Sequence, residues 1–91
     1  MDLATLVGTA AAGLTSLSYL PQVCKAWPAG ATDGLSWRTL VVLTAGLMGW
    51  IGYGLMKGDW VLVAANFVGA TLSGAVLLLK VRDMWGLNKL W

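Results

Sequence analysis

Residues 39–79 read TLVVLTAGLMGWIGYGLM, then KGD, then WVLVAANFVGATLSGAVLLL: two runs without Asp, Lys or Arg, from Thr39 to Met56 and from Trp60 to Leu79, joined by Lys57-Gly58-Asp59. At 18 and 20 residues and about 1.5 Å per residue, each can cross a hydrocarbon core of about 30 Å as an α-helix. A three-residue connection containing Gly forces the two to be antiparallel neighbours. Working back, a third such run of 22 residues extends from Leu3 to Cys24. It follows Asp2 with no Lys or Arg ahead of it and is long for the core of a signal peptide, so it reads as a span. The spacing therefore predicts one membrane domain over residues 1–91 with spans at 3–24, 39–56 and 60–79.

Composition agrees, since 58% of residues are hydrophobic and 11% charged, against about 45–50% and 25% in soluble chains. Such a chain needs the lipid bilayer as a partner. With no His, no Glu and one Cys, metal centres, paired-carboxylate catalysis and a disulfide framework lack parts, so no enzyme, cofactor or metal is expected. Cys24 is expected to be a buried small hydrophobe. A net charge of +2 gives no argument for nucleic acid.

Three spans put the N-terminus and the 57–59 turn on one side. The other side carries Lys25, Arg38, Lys80, Arg82 and Lys89, and the positive-inside bias makes it cytoplasmic, with the N-terminus outside. Trp27, Trp37, Trp60 and Trp85 fall at or just beyond span ends, where indoles prefer the headgroup layer. Small residues recur at every fourth position in the third span (Ala65, Gly69, Ser73; Asn66, Ala70, Gly74), and Gly46, Gly49, Gly52 and Gly54 stud the second. Close helix packing is expected along both.

Three features exceed packing. Pro21 cannot donate to the Leu17 carbonyl, so the first span should bend there, with Gln22 beside the freed carbonyl, as either a static kink or a moving hinge. Asn66 brings a polar amide to membrane depth, where the bland role is an interhelical hydrogen bond. Trp50 stands away from any span end. Trp50 precedes Lys57 by seven residues and Asn66 follows Asp59 by seven, so both lie about 10 Å below the outer surface. Trp50, Tyr53 and Lys57 share one helix face up to the turn, where Asp59 could meet Tyr53 or Lys57. An indole suits the apolar face of a pyranose and an amide its hydroxyls, so a neutral sugar fits better than an ion. No span carries an acid or base, so proton coupling has no carrier and transport should be passive.

Tyr19-Leu20-Pro21-Gln22-Val23, Thr32-Asp33-Gly34-Leu35-Ser36, Trp50-Ile51-Gly52-Tyr53-Gly54 and Ala65-Asn66 occur in an order and spacing that resembles the SemiSWEET family, the bacterial half-sized relatives of the SWEET sugar facilitators in the PQ-loop group. The resemblance covers residues 5 to 80. It implies an all-α bundle of three transmembrane helices packed in the order 1-3-2, two copies forming a parallel homodimer with a central pathway. It further implies Trp50 and Asn66 as substrate-binding residues, Tyr53, Lys57 and Asp59 as an extracellular gate, and Tyr19 and Thr39, with Pro21-Gln22 as hinge, on the cytoplasmic side. Lys57 stands where relatives often carry Arg and cannot make its planar bidentate pair. Tyr19 and Thr39 stand where Phe and Met occur.

The expectation is thus a homodimeric facilitator of the bacterial inner membrane, moving a sugar of the glucose or sucrose class by alternating access. A holin-like pore former or a small regulatory membrane subunit is the alternative.

Overall fold

The computed structural model describes residues 2–86; Lys89 of the expected cytoplasmic cluster lies outside the described residues. Three helices account for most of them: α1 Leu3–Ala26, α2 Trp37–Lys57 and α3 Trp60–Met84. All are long and apolar enough to cross a membrane, which makes this a multi-pass membrane protein. Each runs past its charge-free stretch. A helix of 25 residues such as α3 is about 37 Å long against a core of about 30 Å, so its last turn reaches the headgroup layer.

Each helix begins on a side chain that accepts an otherwise orphaned backbone N–H. Asp2 accepts from Thr5 N at 2.8 Å, Ser36 from Thr39 N at 3.3 Å, and Asp59 from Leu62 N at 3.1 Å. The Thr5 bonds hold the Asp2 carboxyl below its ordinary pKa, because they favour the charged acceptor. α2 stops where Gly58 turns to φ 68°, a conformation that costs a side chain more than a glycine. Asp59 N then donates to Gly54 O at 2.9 Å and Gly58 N to Leu55 O at 3.3 Å, the paired bonds of a Schellman stop. The same Asp59 caps α3, so the antiparallel turn between α2 and α3 is two residues.

α3 is the central helix. α1 and α2 both pack on it, and no Cα of α1 lies within 8 Å of one of α2, which gives the order 1-3-2. The contact faces use small residues where backbones approach. Gly69 and Ser73 are buried on α3, and Ser73 shares a 2.9 Å hydrogen bond with Thr44 of α2. Near the turn, a Cβ on Gly54 would lie 2.9 Å from Val63 Cγ2 and 3.3 Å from Asp59 O, so any side chain there would force α3 or the turn to shift. At the opposite end Ala26, Val76 and Leu79 form a buried cluster with Val23 and Leu40 against it.

Two expectations from the sequence need correction. Gly46, Gly49 and Gly52 do not pack within the protomer, since a Cβ on any of them would meet nothing within 4 Å. α2 meets α3 through another face, that of Leu40, Thr44 and Leu47. Cys24 is free and exposed instead of buried, because α1 packs on α3 along one side alone. Trp27, Trp37, Trp60 and Trp85 are exposed and sit at helix ends, with the Arg38 guanidinium 5.3 Å from the centre of the Trp37 ring.

Candidate functional site

The α2 face predicted from spacing is assembled as a ladder. The Trp50 and Tyr53 rings meet edge to face, with centroids 5.4 Å apart and planes at 85°, the arrangement aromatic quadrupoles favour. Lys57 Nζ stands 5.9 Å from the Tyr53 centroid, within cation–π range. Among the described residues no ion pair joins Lys57 to Asp59. The Asp59 carboxylate instead caps α3.

Asn66 lines a cavity of about 480 Å³ between α1 and α3, with Thr15, Tyr19, Leu47 and Asp59 on its wall. Its Nδ2 donates to Leu62 O of its own helix at 2.8 Å, not across helices. Among the described residues, one N–H and the Oδ1 lone pairs have no partner. An amide half satisfied at the edge of a cavity this size can hold a polar ligand.

Trp50 is not on that wall. It is 52% exposed and borders a separate shallow groove with Gly46, Gly49 and Tyr53. A single protomer therefore carries the indole and the amide on different surfaces.

At the other end of the bundle, Gln22 lines a cavity of about 300 Å³ with Lys25, Leu35, Leu40 and Val76. α1 continues through Pro21 as one helix. Thr39 is exposed in the first turn of α2. Tyr19 lies deeper, its ring placed so that a Cβ on Gly69 would be 3.3 Å from Cε2.

A cluster that sequence reasoning missed ties the α1–α2 loop to the end of α3. Arg82, 1% exposed, donates from Nη1 to Trp27 O at 2.8 Å and from Nη2 to Pro28 O at 3.0 Å and Ala26 O at 3.4 Å. Ala26 and Trp27 carry carbonyls at the C-terminus of α1, where a cation also meets the negative end of the helix dipole, and Pro28 O, which also accepts from Ala31 N at 3.0 Å, begins the loop. Arg82 Nε pairs with Asp83 Oδ1 at 2.9 Å. Asp83 also accepts from Gly30 N at 3.1 Å and from Thr32 N at 3.3 Å and Oγ1 at 2.6 Å. Lys80 Nζ donates to Thr32 O at 2.9 Å. Counting Lys80 and Arg82 as topology signals hid their second task. The available signal was Asp83, an acidic residue in an otherwise basic tail.

Comparison with known proteins places this architecture. Residues 3–63 match the PQ loop repeat family. A sugar transporter SemiSWEET of Bradyrhizobium diazoefficiens is 38% identical over 77 residues, covering 85% of this chain and 90% of the relative. The chain belongs to the SemiSWEET family. The Escherichia coli sugar transporter SemiSWEET is 33% identical over 89% of this chain and 91% of its own length. That of Leptospira biflexa is 30% identical over 86% and 92%. No solved structure matches the chain at the same stringency. SemiSWEETs are transporters, not enzymes, and with three apolar helices in a 1-3-2 bundle this chain has the all-α membrane fold of that family.

Proposed function

We propose that this chain is a passive sugar facilitator working as a parallel homodimer by alternating access. The observation that carries the reading is the half-satisfied Asn66 amide on the wall of a cavity of about 480 Å³, in a chain whose relatives are named sugar transporters. The hydroxyls of a mono- or disaccharide match the free N–H and carbonyl of Asn66. Trp50 offers the apolar plate, and its exposure in the protomer is accounted for by a second copy that brings Trp50 and Asn66 of both chains around one axis. Three helices cannot surround a sugar-sized aqueous path, whereas six can. Tyr53, Lys57 and Asp59 then stand at the outer mouth, and Tyr19, Pro21, Gln22 and Thr39 on the cytoplasmic half. The bias of Lys and Arg supports an N-terminus outside and a C-terminus in the cytoplasm of a bacterial inner membrane.

Purified protein in liposomes tests this directly. Uptake of labelled glucose or sucrose, retention of an entrapped dye and a cross-linked dimer are expected. Unselective dye loss would favour the holin-like pore. Stable capture of a larger membrane protein, with no uptake by the chain alone, would favour the regulatory subunit.

A further inference from the structure

The cavity that holds Asn66 and the one that holds Gln22 are separate, and each is lined by residues of all three helices. Down α1 the outer cavity ends at Tyr19 and the inner one begins at Gln22; down α2 they are marked by Leu47 and Leu40. On α3 the outer cavity reaches Asn66 and the inner begins at Val76, ten residues or about 15 Å further. Something must fill the length between.

Gly69 lies there. A Cβ on it would be 3.3 Å from Tyr19 Cε2, 3.4 Å from Tyr19 Cζ and 3.4 Å from Leu47 Cδ2. A side chain from α1 and one from α2 therefore converge on the same point of the α3 backbone. Since no Cα of α1 comes within 8 Å of α2, these two side chains bridge a gap that the helix backbones leave open. One turn below, the Thr44–Ser73 bond joins α2 to α3 behind them.

We infer that Tyr19, Leu47 and Gly69 form a septum between the two cavities, with Leu47 the partner that Tyr19 closes against inside the protomer and Gly69 the seat that lets both reach α3. The inference rests on the transport reading and adds two positioning residues to it. An aliphatic and an aromatic side chain on a bare backbone make an apolar constriction, which excludes water and polar solutes by dewetting. Any side chain at position 69 props the pair apart or jams it.

The test uses accessibility, so it does not require sugar. In a Cys24→Ser background, Thr15→Cys places a reporter thiol on the outer cavity wall. A membrane-impermeant thiol reagent is applied to intact cells and to inverted vesicles. The reporter should react faster from the face that carries Asp59. Leu47→Ala should raise the rate from the opposite face severalfold, because the truncation widens an apolar constriction that excludes polar solutes. Adding Gly69→Ala to Leu47→Ala should restore much of the sidedness, since the new methyl enters the vacated space. Leu47→Val gives a smaller change of the same sign where Leu47→Ala fails to reach the membrane. Equal reaction from both faces in the parent, or an unchanged opposite-face rate in both Leu47 variants, overturns the septum. Altered sidedness in a protein that moves no sugar would uphold the septum as a barrier and refute the sugar reading.

Discussion

The Thr32 hydroxyl donates a 2.6 Å hydrogen bond to the Asp83 carboxylate, joining the α1–α2 loop to the last turn of α3 across 51 residues of sequence. Thr32 is 0% exposed, so its hydroxyl has no water to fall back on. The bond is one strand of a clamp in which Arg82 holds the carbonyls of Ala26 and Trp27 at the end of α1 and Lys80 holds the Thr32 carbonyl. The end of α1 beyond Pro21, which a bend there would swing, is therefore pinned to α3.

Thr32→Val keeps the shape of the side chain and removes the bond. The expected loss is about 1–3 kcal/mol, the range for a hydrogen bond to a charged group left unmade, read as a lower midpoint of thermal unfolding in mild detergent. Asp83→Asn should lower the midpoint further, because it removes the counter-charge of the buried Arg82 as well as an acceptor. Midpoints equal to wild type in both variants would show that the clamp contributes nothing to stability.

In the proposed homodimer, Trp50→Ala removes the proposed apolar plate from both protomers at once, since symmetry doubles every change. Sugar binding should fall below detection while the dimer persists. Asn66→Ala leaves sugar hydroxyls unpartnered in a desolvated pocket, a loss of about 1–3 kcal/mol per unmet group. Trp60→Phe, at the exposed start of α3, should transport nearly as wild type does. Equal transport by all three variants in proteoliposomes would refute the assigned site and leave the fold untouched.

Pro21→Ala returns a backbone donor to α1 and removes the ring that crowds the Leu17 carbonyl. The protein should fold and dimerise with transport slowed well below wild type, because the flexing point is stiffened while the end beyond it stays clamped to α3. Wild-type rates in this variant would reduce Pro21 to a static bend.

Uptake should continue after the proton gradient is collapsed. The three apolar runs contain no Asp, Glu, His, Lys or Arg, which leaves a proton relay without its usual carriers inside the spans. Loss of uptake on adding an uncoupler to proteoliposomes would contradict a passive mechanism.

The sequence by itself determined what is local. Charge-free runs marked the three helices, Gly58-Asp59 marked the tight turn, and a spacing of three and four residues put Trp50, Tyr53 and Lys57 on one face, since helical periodicity and hydropathy need no knowledge of distant residues. The small residues of α3 were legible as a packing face for the same reason. Gly54 of α2 packs as expected, whereas Gly46, Gly49 and Gly52 misled, because small size permits close approach without saying which face a neighbour occupies. Tertiary structure alone decided the partners. Asn66 turned to its own helix, Tyr19 and Leu47 met over Gly69, and Arg82 and Asp83 became the clamp of a loop some 50 residues earlier. Those outcomes depend on how far each helix extends and how it is rotated against α3. Several pairings of a polar or aromatic side chain satisfy the same local pattern, and only the packed arrangement selects among them.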